Sequence, residues 1–598
     1  MSKLLPPVAA LAASALFALP VTAQFSADAS ANLIVAGEAY EEAQPKLAVT
    51  ADGGFYVSWF ANDPGGSPAG GYDVRLQRFN SYGLAEWPAG GILVADRGFS
   101  STQDYGLATD GQGNALLAFR DDRSGSTQIT ASLITSGSFQ AWGATGVQLT
   151  NTGDFLAAPK ITGASDGSIY VAWTQGNTVR LQRLDGTGAT TWANDIVLTP
   201  PTGSYSLADM QASDNGAAIF SWVAQAGGFT SPRHLYANKV SPGGAPLWGA
   251  KHVQVFDGGS LQFGNFPGFV PDDAGGACFG WYSSSPSLEA FAQRVDAAGN
   301  ELFPHNGVSA STDATQVRVS PAIAFDPTEG AVVLAYTELN AAQSQSGLST
   351  QKFGPNGARL WGPTGSQPVP VGLTQVGDVG VASLHVGQVQ GAALTYTSSA
   401  GFGQDQLFAI RLDDSGGALG PPNALSTTPA SKFRNSTTST PQGNVLSVWQ
   451  DDASGSADIA LQNLLPKGAL GGAPAVTPLL GSGLNPLALQ AAVGPRLGQS
   501  WFLALDKSSD PAALLSAVLI YGKALPAPAL LPEGELLVDV TSPVIAQSIK
   551  TSGLTIDAHP FPVPAVIAYV GITVHAQGAI LGVTNTTLTN GLSATVGL

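Results

Sequence analysis

The chain has 598 residues, 11% of them charged, and a formal net charge of −17. Its 25 Lys and Arg are too few for the basic footprint of a nucleic-acid-binding protein, or of one held on an anionic membrane surface. Hydrophobic residues make up 44%, which excludes a disordered chain and, at this length, calls for at least two folding units.

The N-terminus reads as a secretory leader over residues 1–23. Lys3 precedes an apolar stretch over 4–19, interrupted by Pro6 and Pro7, and Val21-Thr22-Ala23 supplies the small residues a signal peptidase reads. The stretch is short for a membrane span. The mature chain is therefore expected outside the cytoplasm: extracellular, at the cell surface or in the periplasm. One cysteine, Cys278, precludes an intramolecular disulfide, and in Ala277-Cys278-Phe279-Gly280-Trp281 it reads as a small buried hydrophobe.

A repeat begins after the leader. Residues 45–59 and 159–173 nearly copy one another, with Asp52-Gly53 answering to Asp166-Gly167 and Trp59 to Trp173; residues 210–222 are a looser version. Each predicts strand, turn, strand, because Gly and Asn accept the positive φ of a tight hairpin turn. A second hairpin follows at 76–87, 181–192 and 350–361, each with Gln, a basic residue, a Gly and a closing Trp. A short apolar strand, as at 92–95, 147–149, 196–198 and 253–255, ends the unit. Four strands per unit is the composition of a propeller blade.

The aromatic ending the second strand sets the period: Trp59, Phe119, Trp173, Trp222, Trp281, Tyr336, Tyr396 and Trp449, roughly 49–60 residues apart. About eight blades are predicted over residues 24–475, or seven if the last unit is degenerate. The extra length is placed between the second and third strands, as at 62–72. Residues 32–35 read as a fourth strand that completes the last blade and closes the ring, in competition with 474–477. An open solenoid or a row of sandwiches is the rival architecture.

Residues 464–487 read as a linker. Strands at 501–505, 515–520, 535–540 and 568–577, with a turn at 587–592, predict a small β-sandwich over 476–598. The chain is thus expected to be all-β: a propeller of four-stranded blades followed by a C-terminal sandwich. Residues 571–577 followed by 588–592 resemble the end of a C-terminal module carried by many exported proteins of environmental bacteria, and the repeats resemble bacterial secreted β-propellers. That resemblance implies a surface or extracellular role and carries over no catalytic residue.

Few motifs point to chemistry. Gly163-Ala164-Ser165-Asp166-Gly167 fits the nucleophile elbow, but its counterparts at 49–53 and 211–216 mark it as a hairpin turn. His234, His252, His305, His385, His559 and His575 form no close metal-type pair; His234, beside Arg233, is the one worth testing. The turns at Asp185 and Asp326 lack the ligand count of a calcium loop. The hairpin from Asp185 to Trp192 also resembles the docking repeat of eight-bladed quinoprotein dehydrogenases, although many of those carry adjacent cysteines. Its Trp is expected to pack between blades. Gln77-Arg78, Gln182-Arg183 and Gln293-Arg294 read as buried hydrogen-bonding pairs rather than an anion site. No catalytic residue, metal or cofactor is assigned.

One constellation remains. The loops after the second strands carry Asp63, Asp121, Asp122, Arg123, Glu338, Asp451 and Asp452 on one face of the ring. A convergent rim would bind sugar hydroxyls or a cation, and paired carboxylates would serve as acid and base in glycoside hydrolysis. The alternative is a rim that caps its own turns. The functional expectation is a monomeric, exported binding protein whose partner is a carbohydrate or a surface protein, with no nucleic acid and no membrane span. A carbohydrate-active hydrolase or lyase and a degenerate quinoprotein-like propeller are the alternatives.

Overall fold

The computed structural model describes residues 25–597 apart from 64–70, 82, 100–103, 251, 387–388, 472–473 and 565–568. The expected leader lies outside the described residues.

Eight antiparallel sheets follow one another along the chain, each built from consecutive strands. They span 42–95 (blade 1), 106–148 (blade 2), 156–198 (blade 3), 204–256 (blade 4), 260–309 (blade 5), 316–372 (blade 6), 375–430 (blade 7) and 432–464 (blade 8). The second strands are apolar and bury both faces, as in Ala115–Asp121 and Val445–Asp451, because each blade packs on neighbours at either side. First strands of successive blades, including those of blades 8 and 1, lie side by side around an axis. This is an eight-bladed propeller.

Blade 8 takes its outermost strand from the N-terminus. Leu33–Ala36 pairs antiparallel with Asp458–Leu464, placing Leu33 opposite Leu461. Its side chains join a core with Phe55, Trp59 and Leu446, so blades 8 and 1 share one cluster. Fully burying a side chain of this size contributes about 1.5–3 kcal/mol. The competing segment, Ala475–Leu479, pairs instead with Thr586–Thr595.

The blade length resides elsewhere than expected. In blade 3 only residues 176–177 join the second and third strands, whereas 185–195 join the third and fourth. The longer connection folds as a small hairpin of its own, bridged at Leu184 and Thr190, and the same bridge recurs in seven blades. It is the part that reaches the next blade: Trp192 Nε1 donates to Pro242 O at 2.9 Å and Trp248 Nε1 to Ala297 O at 3.1 Å.

Beyond the propeller, Ala475–Leu479, Thr586–Thr595, Thr573–Leu581, Leu515–Tyr521 and Val544–Thr551 form a five-stranded sheet in that order. Leu489–Gln490, Ser500–Asp506 and Ile556–Pro562 form a second. Leu489, Trp501, Leu505, Val518 and Ile580 fill one core with residues of both sheets, as in a sandwich. Two expectations change here. The stretch 464–487 contains a strand, and the turn placed at 587–592 lies inside one. Asn590 explains the second: its Oδ1 accepts from Leu489 N at 2.8 Å and its Nδ2 donates to Leu489 O at 3.0 Å, so a turn-type side chain does the work of strand backbone. Among the described residues, no helix is long and apolar enough to cross a membrane.

Candidate functional site

The structure places the expected rim residues at or near the ends of second strands, where each is held by its own surroundings. Asp121 is buried and clamped by Arg123, with Nη2 to Oδ2 at 2.7 Å and Nε to Oδ1 at 2.9 Å. The remaining Arg123 donors go to Ala144 O and Thr145 O. Asp122 accepts from Gly98 N at 3.1 Å. Glu338, also buried, takes Arg318 Nη2 at 2.8 Å, Ser349 Oγ at 2.6 Å and Gln367 Nε2 at 2.7 Å. Asp451 accepts from Lys432 Nζ at 2.6 Å and Trp449 Nε1 at 2.8 Å, and Asp452 from Ser431 N at 2.7 Å. Asp63 is half-buried at the end of Phe55–Asp63. None of these side chains lines the axial cavity described below.

The Gln-basic pairs are structural: Gln182-Arg183 bonds within its own blade, whereas Arg78 and Arg294 also reach the next. Gln293 Nε2 donates to Pro304 O at 3.0 Å, while its Oε1 accepts from Arg294 N and Phe303 N. Arg294 then bridges Asp272 of its own blade, at 3.0 Å, to Gly330 O of the next, at 2.8 Å. Residues 163–167 form a hairpin turn, closed by Gly167 N on Ala164 O at 3.0 Å.

Two polar clusters outside the rim have the composition of a reactive or metal site. Asp326, His385 and Asp414 present ligand atoms close enough to share an ion. Lys352 Nζ already sits among these acids, 2.9 Å from Asp326 and 3.4 Å from Asp414, with Glu329 at 3.0 Å. The ammonium supplies the positive charge a cation would bring. In the sandwich, Ser516 meets both His559 Nε2, at 3.1 Å, and Asp557. His559 Nδ1 faces Ser548 at 2.9 Å rather than a carboxylate, and Asp557 pairs with Lys507 at 3.1 Å. The base is not oriented by the acid, so this is a buried polar network and not a triad.

The channel offers a different arrangement. In blade after blade the first strand is interrupted opposite the repeat-marking aromatic. Ala157 pairs with Thr174 and Lys160 with Ala172, so residues 158–159 bulge across from Trp173. Similar shifts occur in blades 1, 4, 6, 7 and 8. In five of them the bulge residue is left-handed without being glycine: Gln44 (φ 57°), Ala158 (47°), Ser320 (51°), Asp378 (44°) and Arg434 (56°). Such a conformation costs about 1–3 kcal/mol and concentrates at functional sites. Blade 5 carries more than a bulge. Residues 262–268 form a loop between Ser260–Leu261 and Phe269–Pro271, opposite Trp281.

The interruptions of blades 1, 3, 4, 5 and 8 meet around a cavity of about 590 Å³, lined by Gln44, Asp104, Phe155, Lys160, Phe266 and Arg434, among others. The lining comes from blades 1, 3, 4, 5 and 8 and the segment leading into blade 2, which places the cavity on the axis. Asp104 lies between two lysines, 2.7 Å from Lys46 and in contact with Lys160. Burial opposes its charge, yet the two ammonium groups hold its carboxyl well below the usual range. Burial lowers Lys46, whose Nζ sits 5.2 Å from the Tyr105 ring centre; at Lys160 burial is outweighed by Asp104 and Asp209, which raise it. Arg434 is exposed and makes no hydrogen bond or ion pair with a described residue. Asp378, whose charge Arg434 favours, is nonetheless raised by burial and by Asp405. Phe155 and Phe266 are 61% and 50% exposed.

The blade 5 loop extends the site outward. Phe263 packs on Phe229 with ring centres 4.7 Å apart, and the Arg233 guanidinium lies 4.9 Å from one ring and 5.5 Å from the other. A second hollow of about 350 Å³, lined by Phe263, Phe266, Tyr282 and Pro321, adjoins the first at Phe266. Sequence reasoning missed this site because its residues are scattered over five blades. The signal was present in Pro45, Pro159 and Pro321, since a proline inside an inner strand marks a bulge.

No protein-family model matches the chain, and no curated protein matches it. Among solved structures it is similar to the Dos1 propeller at 10% identity, over 71% of this chain and 94% of that one, with a TM-score of 0.38. It is also similar to a family 25 polysaccharide lyase, an ulvan lyase, at 12% identity over 64% and 96% with a TM-score of 0.39. An α-L-arabinanase of Penicillium chrysogenum aligns at 11% identity over 52% and 94%, with a TM-score of 0.32. Likenesses at this level say nothing of ligand or reaction.

Proposed function

We propose that this is an exported binding protein whose propeller takes its ligand at the axial cavity. The observation that carries the reading is the convergence of strained bulges and an inner-strand loop on one cavity, with two aromatic side chains left exposed inside it. A cavity of several hundred Å³ bearing apolar faces and a few charged groups is the usual form of a ligand site. The sandwich that follows serves attachment or sorting in this reading. Thermal-shift screening of the chain against oligosaccharides, acidic polymers and peptides tests it. A ligand that raises Tm in wild type but not in Phe155→Ala or Phe266→Ala supports the cavity as the site. A ligand response that both variants retain in full removes it.

A further inference from the structure

The axial cavity, taken as the binding site, also indicates what class of ligand it accepts. The first indication is charge. With 42 acidic against 25 basic residues, most of the surface repels an anion. At the cavity, basic groups stand level with the acids around them. Lys46 and Lys160 share the carboxylate of Asp104, with Asp209 acting on both, and Arg434 stands exposed near Asp378, its guanidinium in no hydrogen bond or ion pair with a described residue. A guanidinium at a cavity wall is a two-pronged donor matched to a carboxylate or a sulfate.

The second indication is shape. Phe155 and Phe266 offer exposed flat faces to the same space, and a flat apolar face suits the face of a ring better than an aliphatic acid. The third is repetition. The loop 262–268 carries Phe266 in the cavity and Phe263 outside it, where Phe263 and Phe229 pack at a tilt of 51° with Arg233 over both rings. One unit of cation and aromatic face is thus followed by another along the loop. A small anion needs one such unit. A polymer of linked rings with acidic groups at intervals uses both.

We propose that the cavity and the Phe229–Phe263 clamp bind an acidic polysaccharide, its rings on Phe155, Phe266 and Phe263 and its carboxylates or sulfates on Lys160, Arg434 and Arg233. This rests on the binding reading given above.

Isothermal titration of the full chain tests it with four probes: oligogalacturonate, its methyl ester (the same rings without the charge), sulfated carrageenan oligosaccharides and polyglutamate. The expected result is that oligogalacturonate or the sulfated oligosaccharide binds at least about tenfold tighter than the methyl ester, and more weakly as salt screens the cations. Arg434→Gln and Arg233→Gln each weaken that binding about tenfold. Arg434→Gln moves thermal unfolding little, because its exposed side chain makes no hydrogen bond or ion pair with a described residue. Phe266→Ala weakens charged and neutral forms alike. Equal binding of oligogalacturonate and its methyl ester overturns the acidic ligand while leaving the cavity as a binding site. Polyglutamate binding as tightly as the saccharides overturns the sugar. Absence of binding by all four probes overturns the proposal, and the screen with Phe155→Ala and Phe266→Ala shows separately whether the cavity binds anything else.

Discussion

Phe25 packs against Gly83: a Cβ on that glycine would lie 2.7 Å from the Phe25 ring. The same relation recurs around the ring, with Trp142 on Gly188, Trp248 on Gly299 and Trp361 on Gly416. In each pair the aromatic of one blade covers the left-handed turn glycine of the next. Phe25 therefore does for the junction of blades 8 and 1 what a tryptophan does elsewhere, and the N-terminal segment closes the ring twice, once by strand pairing and once by this contact. Gly83→Ala is expected to lower stability by about 2–3 kcal/mol, since both the positive φ and the ring oppose a side chain. Gly125→Ala is the control: its φ is 96° but nothing lies within 4 Å, so only the backbone cost of about 1 kcal/mol applies. Urea denaturation of both variants checks the difference.

That junction also shows what was legible in the sequence. The fourth-strand character of residues 32–35 was readable because an apolar strand stood ahead of the first unit with no blade of its own. The eight-unit period was readable because each second strand ends on an aromatic that the core requires. The role of Phe25 was not, since it copies no tryptophan motif and acts only when the ring closes. The rim of Asp121, Glu338 and Asp451 showed a limit of another kind. Sequence places acids at equivalent loop positions, but whether each carboxylate faces solvent or an arginine depends on partners as distant as Arg318 and Lys432. The axial site depends in the same way on residues such as Lys46, Asp104 and Arg434, which only the closed ring brings together.

Asp451→Asn should separate a structural rim from a binding one. Lys432 is buried against Asp451, so removing the charge leaves an uncompensated ammonium, and a loss of about 3 kcal/mol or more is expected. Ligand binding at the axial cavity should be unchanged where the variant remains folded. Calorimetry beside a binding titration reads both effects. Lost binding with unchanged unfolding would move the site to the rim.

Lys352 gives a prediction about cations. Its ammonium is shared by Asp326, Glu329 and Asp414, and His385 Nε2 lies 3.0 Å from Asp326. Lys352→Ala leaves three acids around an unfilled centre and should cost about 3–5 kcal/mol at neutral pH. A divalent cation should then restore part of the lost Tm in the variant and leave wild type unmoved. A wild-type Tm that rises equally would show that the lysine does not fill the place.

Glu42 should make stability fall as pH rises. It is buried in blade 1 beside Asp458, and its Oε2 has no hydrogen-bond partner among the described residues. Burial, with Asp458 and Glu38 adding, pushes its carboxyl from 4.5 up to about 8. The native state therefore holds this proton after the unfolded chain has lost it. Its contribution is fully present below about pH 4.5 and is lost progressively as pH climbs toward about 8. Glu42→Gln mimics the protonated form at every pH. It should match wild type near pH 4 and exceed it at pH 8 by about 4 kcal/mol, each pKa unit corresponding to about 1.4 kcal/mol. Denaturant midpoints at the two pH values check this: an equal offset at both would mean that the gain comes from packing, and no offset at pH 8 would mean that Glu42 is ionised in the folded protein.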